Sequence, residues 1–332
     1  VTDSSDSSQS GLLAHDNGDI VLVVLDGSIA VGALVEANGE GRILVSAETG
    51  ALSLESNILS GSGLISLHAH ESITVGESIV IETAADISLE AVTGSIVLDG
   101  TVWIEATDST LRLAAEGDVV LGNLVAADVS LLSLSGAILN AADTTLNVEA
   151  DNLRLESANS IGESQRHISI DVNTLTAKSS SSSIFITAMS ATEVGTVATT
   201  VIVFTSVAGT ATVSDESQSG LTTLADGDIV LVVERGAVTL NEGVSADGEG
   251  NVLVAADSGS LVVNATVTSE SGWITLHAEE DLSIAAGVDI LTAADISLLA
   301  NTGAITMNGT ATIEATGSNL RLAAGTDVLV GN

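Results

Sequence analysis

The sequence predicts an all-β chain wound as a parallel β-helix, a β-solenoid of about 22 residues per turn, and three observations predict it. The first is a long internal repeat. Residues 5–123 align without a gap on 214–332, a spacing of 209, and 61 of the 119 aligned positions are identical. The second is a shorter repeat within the first, at 22–24 residues, in which apolar residues alternate with others at period two. The third is composition. Hydrophobic residues make up 45% of the chain, yet the only aromatics are Trp103, Phe185, Phe204 and Trp273. Uniform Val, Ile, Leu and Ala suit stacked, near-identical layers that pack only on their neighbours. Proline is absent; it would remove a ladder donor from any strand paired on both sides.

The short repeat can be followed segment by segment. It reads GDIVLVVLDGSIAV from Gly18, GRILVSAETGALSL from Gly41, GLISLHAHESITV from Gly63, ADISLEAVTGSIVL from Ala85 and STLRLAAEGDVVL from Ser109. The second copy gives the same series from Gly227, Gly250, Gly272, Ala294 and Ser318. Each segment alternates, breaks at Gly, Asp or Asn, then alternates again, which is strand, turn, strand. A third apolar patch follows at Val35, Ile58, Ile79 with Ile81, and Val102 with Ile104. Three short strands per turn result. Helices are not expected, because β-branched residues dominate and no 3.6-residue period is present.

The register follows from the alternation. Ile20, Ile43, Ile65, Ile87 and Leu111 share one core position, matched in the second copy by Ile229, Val252, Ile274, Ile296 and Leu320. Each set is expected to stack as a ladder along the axis. Residues 124–213 are less even, with apolar starts near Val129, Leu153, Ile168, Ile184 and Val201. This stretch holds both Phe residues, the serine run 179–183 and a basic cluster of Arg154, Arg166, His167 and Lys178. Strand-like IFITA follows the serines at once, so they read as a tight polar turn or a serine-lined face. The expected organisation is one continuous β-solenoid over 1–332, with long-repeat copies 5–123 and 214–332 and the remainder of the unit, 124–213, between them. The chain opens on Val1 in mid-repeat, which reads as a window from a longer tandem array.

Charge narrows the partners. The net charge is −37 with seven Lys and Arg, so nucleic acid is not an expected partner, because phosphate binding needs clustered basic residues. No apolar run reaches the roughly 18 residues of a membrane span, so membrane insertion is not expected. Without cysteine, disulfides and Cys-ligated metals are excluded.

Alternation puts Val21, Val23 and Leu44 outward, repeated as Val230, Val232 and Leu253. An aliphatic stripe recurring once per long unit reads as a lateral contact between copies of the chain. The alternative is that a loop or another strand covers it. Candidate chemistry is sparse. His68 and His70 form His-x-His on one strand, a spacing that can hold a metal, but the second copy has His277 and Glu279, and a surface polar pair is the reading. The acidic turns 37–41 (ANGEG) and 246–250 (ADGEG) offer carboxylates and carbonyls for calcium, though Asp and Asn also belong in turns for conformational reasons. No catalytic, cofactor-binding or metal residues are assigned, and the chain is not expected to be an enzyme. A site that recurs in two copies is unlike an active site.

The GDIxLxAxxGxIxL segments resemble the repeats of filamentous-haemagglutinin-like proteins and other giant secreted bacterial β-helix adhesins. The matching residues are Gly18, Asp19 and Ile20 with Leu22, Gly27 and Ile29; Asp86 and Ile87 with Leu89, Ala91, Gly94 and Ile96; and Gly227, Asp228 and Ile229 with Leu231, Gly236 and Val238. The resemblance implies a right-handed β-helix stalk, secreted or displayed on a prokaryotic cell surface, with adhesion or matrix formation as its role. The acidity and the 209-residue unit favour a spacer or fibre shaft that associates with itself, end to end or laterally. The alternative is an adhesin module that recognises carbohydrate or a cell surface through residues present in one copy alone, such as Trp103 (Thr312 in the other copy) or Trp273 (Leu64).

Overall fold

A computed structural model describes residues 10–142, 144–206 and 209–331; Ser5 to Gln9 of the first copy and Asn332 of the second lie outside it. Among these residues every regular element is a β-strand. The chain forms a parallel β-solenoid of about 14 turns with roughly 23 residues per turn. At the usual strand spacing of about 4.8 Å the stack is roughly 65 Å tall.

Each turn has three faces. In the first copy the first face carries the longer strands Ile20–Val24, Ile43–Ala47, Ile65–Ala69 and Ile87–Ala91. The second carries Ile29–Val31, Leu52–Leu54, Ile73–Val75 and Ile96–Leu98. The third carries Val35–Ala37, Ile58–Ser60 and Val80–Thr83. Ile20 pairs with Ile43, Ile43 with Ile65, Ile65 with Ile87 and Ile87 with Leu111. In the second copy Ile229, Val252, Ile274, Ile296 and Leu320 pair in the same way. All are buried except Leu320, which is 46% exposed. Leu320 sits on the last described turn, where no further layer covers it.

Corners are held by small residues. Ser60 Oγ donates to Gly41 O (2.7 Å) and accepts from Gly63 N (2.9 Å). Ser269 does the same with Gly250 and Gly272. A Cβ on Gly63 would be driven into the backbone carbonyl of Gly41, and one on Gly272 into that of Gly250. Close approach of one layer's backbone to the next thus requires the glycines that mark the sequence repeat.

The two copies join without a break in the ladder, but the cross-section turns over between them. Ile184–Ala188 stacks on the second and third faces of the layer beneath, through Ile184 on Ile161 and Ile186 on Ile168. It then carries Ile229–Val233, the start of the second copy's first face. Conversely, the first-face end of Ile168–Ser179 carries Thr192–Val194 and Leu221–Thr223, which continue as the second and third faces. The first face of the second copy therefore looks across the solenoid from that of the first.

One segment leaves the coil. The sequence places a solenoid strand start near Val201; instead Thr196–Ser206 and Gly209–Ser219 form an antiparallel hairpin. Its roots lie side by side, with Gly220 N donating to Gly195 O at 3.0 Å, so the coil resumes as though nothing had been inserted.

Candidate functional site

The acidic turns are occupied by the backbone. Asp19 Oδ1 accepts Arg42 N (2.9 Å), Asp118 Oδ1 accepts Ala137 N (2.8 Å), Asp228 Oδ1 accepts Asn251 N (2.8 Å) and Asp281 Oδ1 accepts Ala304 N (2.8 Å). In each case a corner carboxylate caps an amide of the layer above, which would otherwise lack a partner. Turns 37–41 and 246–250 belong to this scheme: Glu40 N donates to Asn17 Oδ1 and Glu249 N to Asp226 Oδ1. Among the described residues no three His, Asp or Glu side chains converge on a metal-sized space.

The feature that stands apart from the repeating architecture is the hairpin. It folds back along the axis over the first face of the first copy. Its hydrogen bonds run from the layer of Thr176, met by Gln218, to that of Ser66, met by Phe204, five layers away. The seven residue steps from Val197 to Phe204 span about 23 Å, which matches about 24 Å for five layers. Strand alternation turns Val197, Thr199 and Val201 inward, the phase shifts before the tip so that Phe204 also faces in, and all four are buried.

Polar contacts fix the seat. Phe204 N donates to Ser66 Oγ (2.8 Å) and Ile202 N to Asp86 Oδ2 (2.7 Å). At the centre, Arg112 Nε and Nη2 form a fork on Asp215 (3.0 and 3.1 Å), and Ser130 Oγ donates to the same carboxylate (2.7 Å). Arg112 and Asp215 are only 8% and 9% exposed. Burial pushes the Asp215 carboxyl up, but hydrogen bonds from Arg112 and Ser130 and the nearby arginine charges outweigh it and hold the pKa below the usual range. Near the root, Arg154 Nε donates to Glu216 O and Gln218 Nε2 to Leu155 O. The Arg42 guanidinium lies over the Phe204 ring at 4.2 Å, a cation–π contact, while pairing with Asp19 (2.6 Å).

A cleft of about 270 Å³ remains between the hairpin and the sheet, bounded by Leu44, Ser46, Glu48, His68, Glu90 and Phe204 among others. His68 Nδ1 lies 3.3 Å from Glu90 Oε2. The Glu90 hydrogen bond raises the pKa of His68 against the opposing effect of burial.

The stripe residues are divided by this arrangement. Leu44 is 4% exposed, beneath the hairpin, so its outward contact is made within the chain and not with a neighbour. That corrects the expectation of an open stripe at this position: the covering element was the alternative the sequence allowed. Val23 is 41% exposed, while Val21, Val230, Val232 and Leu253 are half-buried. His70 is exposed on the strand-end turn and is not brought to a shared centre with His68. Trp103 and Trp273 are 40% and 65% exposed. They lie on different layers, Trp103 at the start of Trp103–Ala115 and Trp273 just before Ile274–Ala278. Arg112, Asp215, Ser130 and Asp86 were not singled out as a group by sequence. The signal was available: 196–219 carries two long alternating runs that ignore the 22-residue corners.

The sequence matches no known protein-family model, and neither curated proteins nor solved structures give a match. The argument for function therefore rests on the fold, the internal repeat and the hairpin.

Proposed function

We propose that this chain is part of the shaft of an extracellular fibre or surface filament, built from tandem 209-residue solenoid units and displayed by a prokaryotic cell. The observation that carries the reading is the junction: two copies of the unit stack as one uninterrupted ladder, through Ile184–Ala188 onto Ile229–Val233 and Thr192–Val194 onto Val238–Leu240. A solenoid grows by adding layers, and every added unit buries the apolar end of the last. Net charge of −37 keeps neighbouring shafts apart at low ionic strength. Lateral self-association falls to the stripe positions that stay uncovered, Val23 above all.

Immunogold electron microscopy with antibodies raised against the chain tests this. Label spaced along long, thin external filaments is the expected result. Label confined to compact particles inside the cell would end the reading.

The two exposed tryptophans favour a second reading, an adhesin module that binds carbohydrate or a cell surface, because large exposed aromatics are enriched in binding patches. Trp103→Ala and Trp273→Ala variants that lose attachment to a carbohydrate-coated surface would favour it over the shaft.

A further inference from the structure

We propose that the first face of the second copy is a seat for another hairpin of the 196–219 kind, supplied by the next 209-residue unit of the same tandem chain. This rests on the tandem-array reading above. In the first copy the hairpin comes late in the unit and folds back over the layers that precede it. The same construction, one unit on, would deliver a hairpin to the face that begins at Ile229.

That face keeps the features of the covered one. Thr275 stands where Ser66 accepts Phe204 N, Asp295 where Asp86 accepts Ile202 N, and Arg321 where Arg112 grips Asp215. Asp295 caps its corner through Oδ1, as Asp86 does, by accepting Asn319 N (2.9 Å). Its Oδ2 corresponds to the oxygen that Asp86 gives to the hairpin. Leu253 and Ser297 repeat Leu44 and Ser88. Yet Leu44, Ser66 and Ser88 are buried, whereas Leu253, Thr275 and Ser297, also inside the stack, are half-buried. The difference is the missing cover.

Charge points the same way. In a chain of net charge −37, the outward positions of this face carry no acid. Glu90 of the first copy is replaced by Leu299, and Arg321 is exposed with only a long contact to Ser297 Oγ (3.4 Å). A basic group on an apolar, acid-free strip suits a hairpin whose inner face offers one carboxylate and one phenylalanine. Arg42, which stacks on Phe204, is Asn251 here, so the seat lacks that one contact. A tethered hairpin arrives at high effective concentration, which assigns it to the same chain and not to a second molecule. The described part of the second copy holds the half of the seat that receives the hairpin tip.

The test uses the 332-residue chain and a labelled peptide of residues 197–218. Val197 and Gln218 face each other across the hairpin; Val197→Cys and Gln218→Cys, joined as a disulfide, hold the peptide in hairpin form, which circular dichroism verifies. Fluorescence anisotropy should give saturable one-to-one binding. Arg321→Ala should weaken it about 30-fold or more, and Asp215→Ala in the peptide should do the same. Thr275→Val, inside the stack, should weaken it less, with both protein variants still folded by circular dichroism. A folded peptide that does not bind, or that binds without regard to Arg321, overturns the seat. Sedimentation settles the source. The chain should show no Arg321-dependent dimer at micromolar concentration, because its own hairpin is engaged; such a dimer would transfer the occupant to a second molecule and overturn the assignment. Peptide binding alongside label on compact intracellular particles would sink the shaft and leave the seat; filaments whose seat takes no peptide would do the reverse.

Discussion

Arg112 and Asp215 are the pair on which the hairpin depends. Both are buried, so removing one strands the other's charge, at a cost of about 3–5 kcal/mol. Arg112→Ala should therefore free the hairpin while leaving the coil intact. Hydrogen exchange would show lost protection in Thr196–Ser206 and unchanged protection in Ile65–Ala69. Acid should act on the same contact. The folded pKa of Asp215 lies below its unfolded value, so its contribution is fully present above the ordinary Asp range and is lost as pH falls through the lowered value. His68 has the opposite sign. Its pKa is raised by Glu90, so its contribution is complete below the ordinary His value and fades as pH climbs through the raised one. A pH titration of hairpin exchange should thus show loosening in strong acid and a smaller change as pH climbs past the ordinary His range. Glycine gives a third check at this scale. Gly63→Ala forces a Cβ against the Gly41 carbonyl, while a Cβ at Gly32 meets nothing within 4 Å. Thermal unfolding should show a clear loss for Gly63→Ala and almost none for Gly32→Ala.

Among the elements, the coil strands and the hairpin differ in how far sequence reveals them. The first-face strands are legible because one pattern returns every turn: Ile20, Ile43, Ile65 and Ile87 each follow a Gly or Asp corner and open an alternating run. The hairpin is not, because its partner strand is its own neighbour and its seat lies far away in the chain, 138 residues for Phe204 on Ser66 and further still for Arg42 over the Phe204 ring. Nothing local distinguishes Val201 facing a core from Val201 facing the outside of a sheet. Leu44 shows the same ambiguity, outward by alternation yet covered. Because Gly195 and Gly220 already touch, joining them directly excises the hairpin. The shortened chain should keep its β-sheet circular dichroism and bind an apolar dye more strongly through the bared Leu44 face. Loss of the β signal would mean that the coil needs its cover to fold.

For the whole molecule, cohesion is one-dimensional. Within the coil each layer packs only on the two beside it, the hairpin alone bridging further, so a core defect such as Ile87→Ala should cost about 2–5 kcal/mol and loosen its neighbours more than distant layers. Mutual repulsion among 44 acids against seven Lys and Arg opposes compaction. Thermal stability should therefore rise between low salt and about 0.15 M, where the screening length shortens to about 8 Å; no salt dependence would mean that the acids are balanced locally, corner by corner.

The overturned junction has a consequence for any long assembly of these units. Each unit rises roughly 38 Å, eight layers at about 4.8 Å, and each would present its clasp on the flank opposite the last. Viewed in projection, such a filament would carry studs in a zigzag that returns to the same side only after two units, roughly 77 Å. No straight groove would then run down either edge, and parallel strands could nest only when their studs were offset by half that distance.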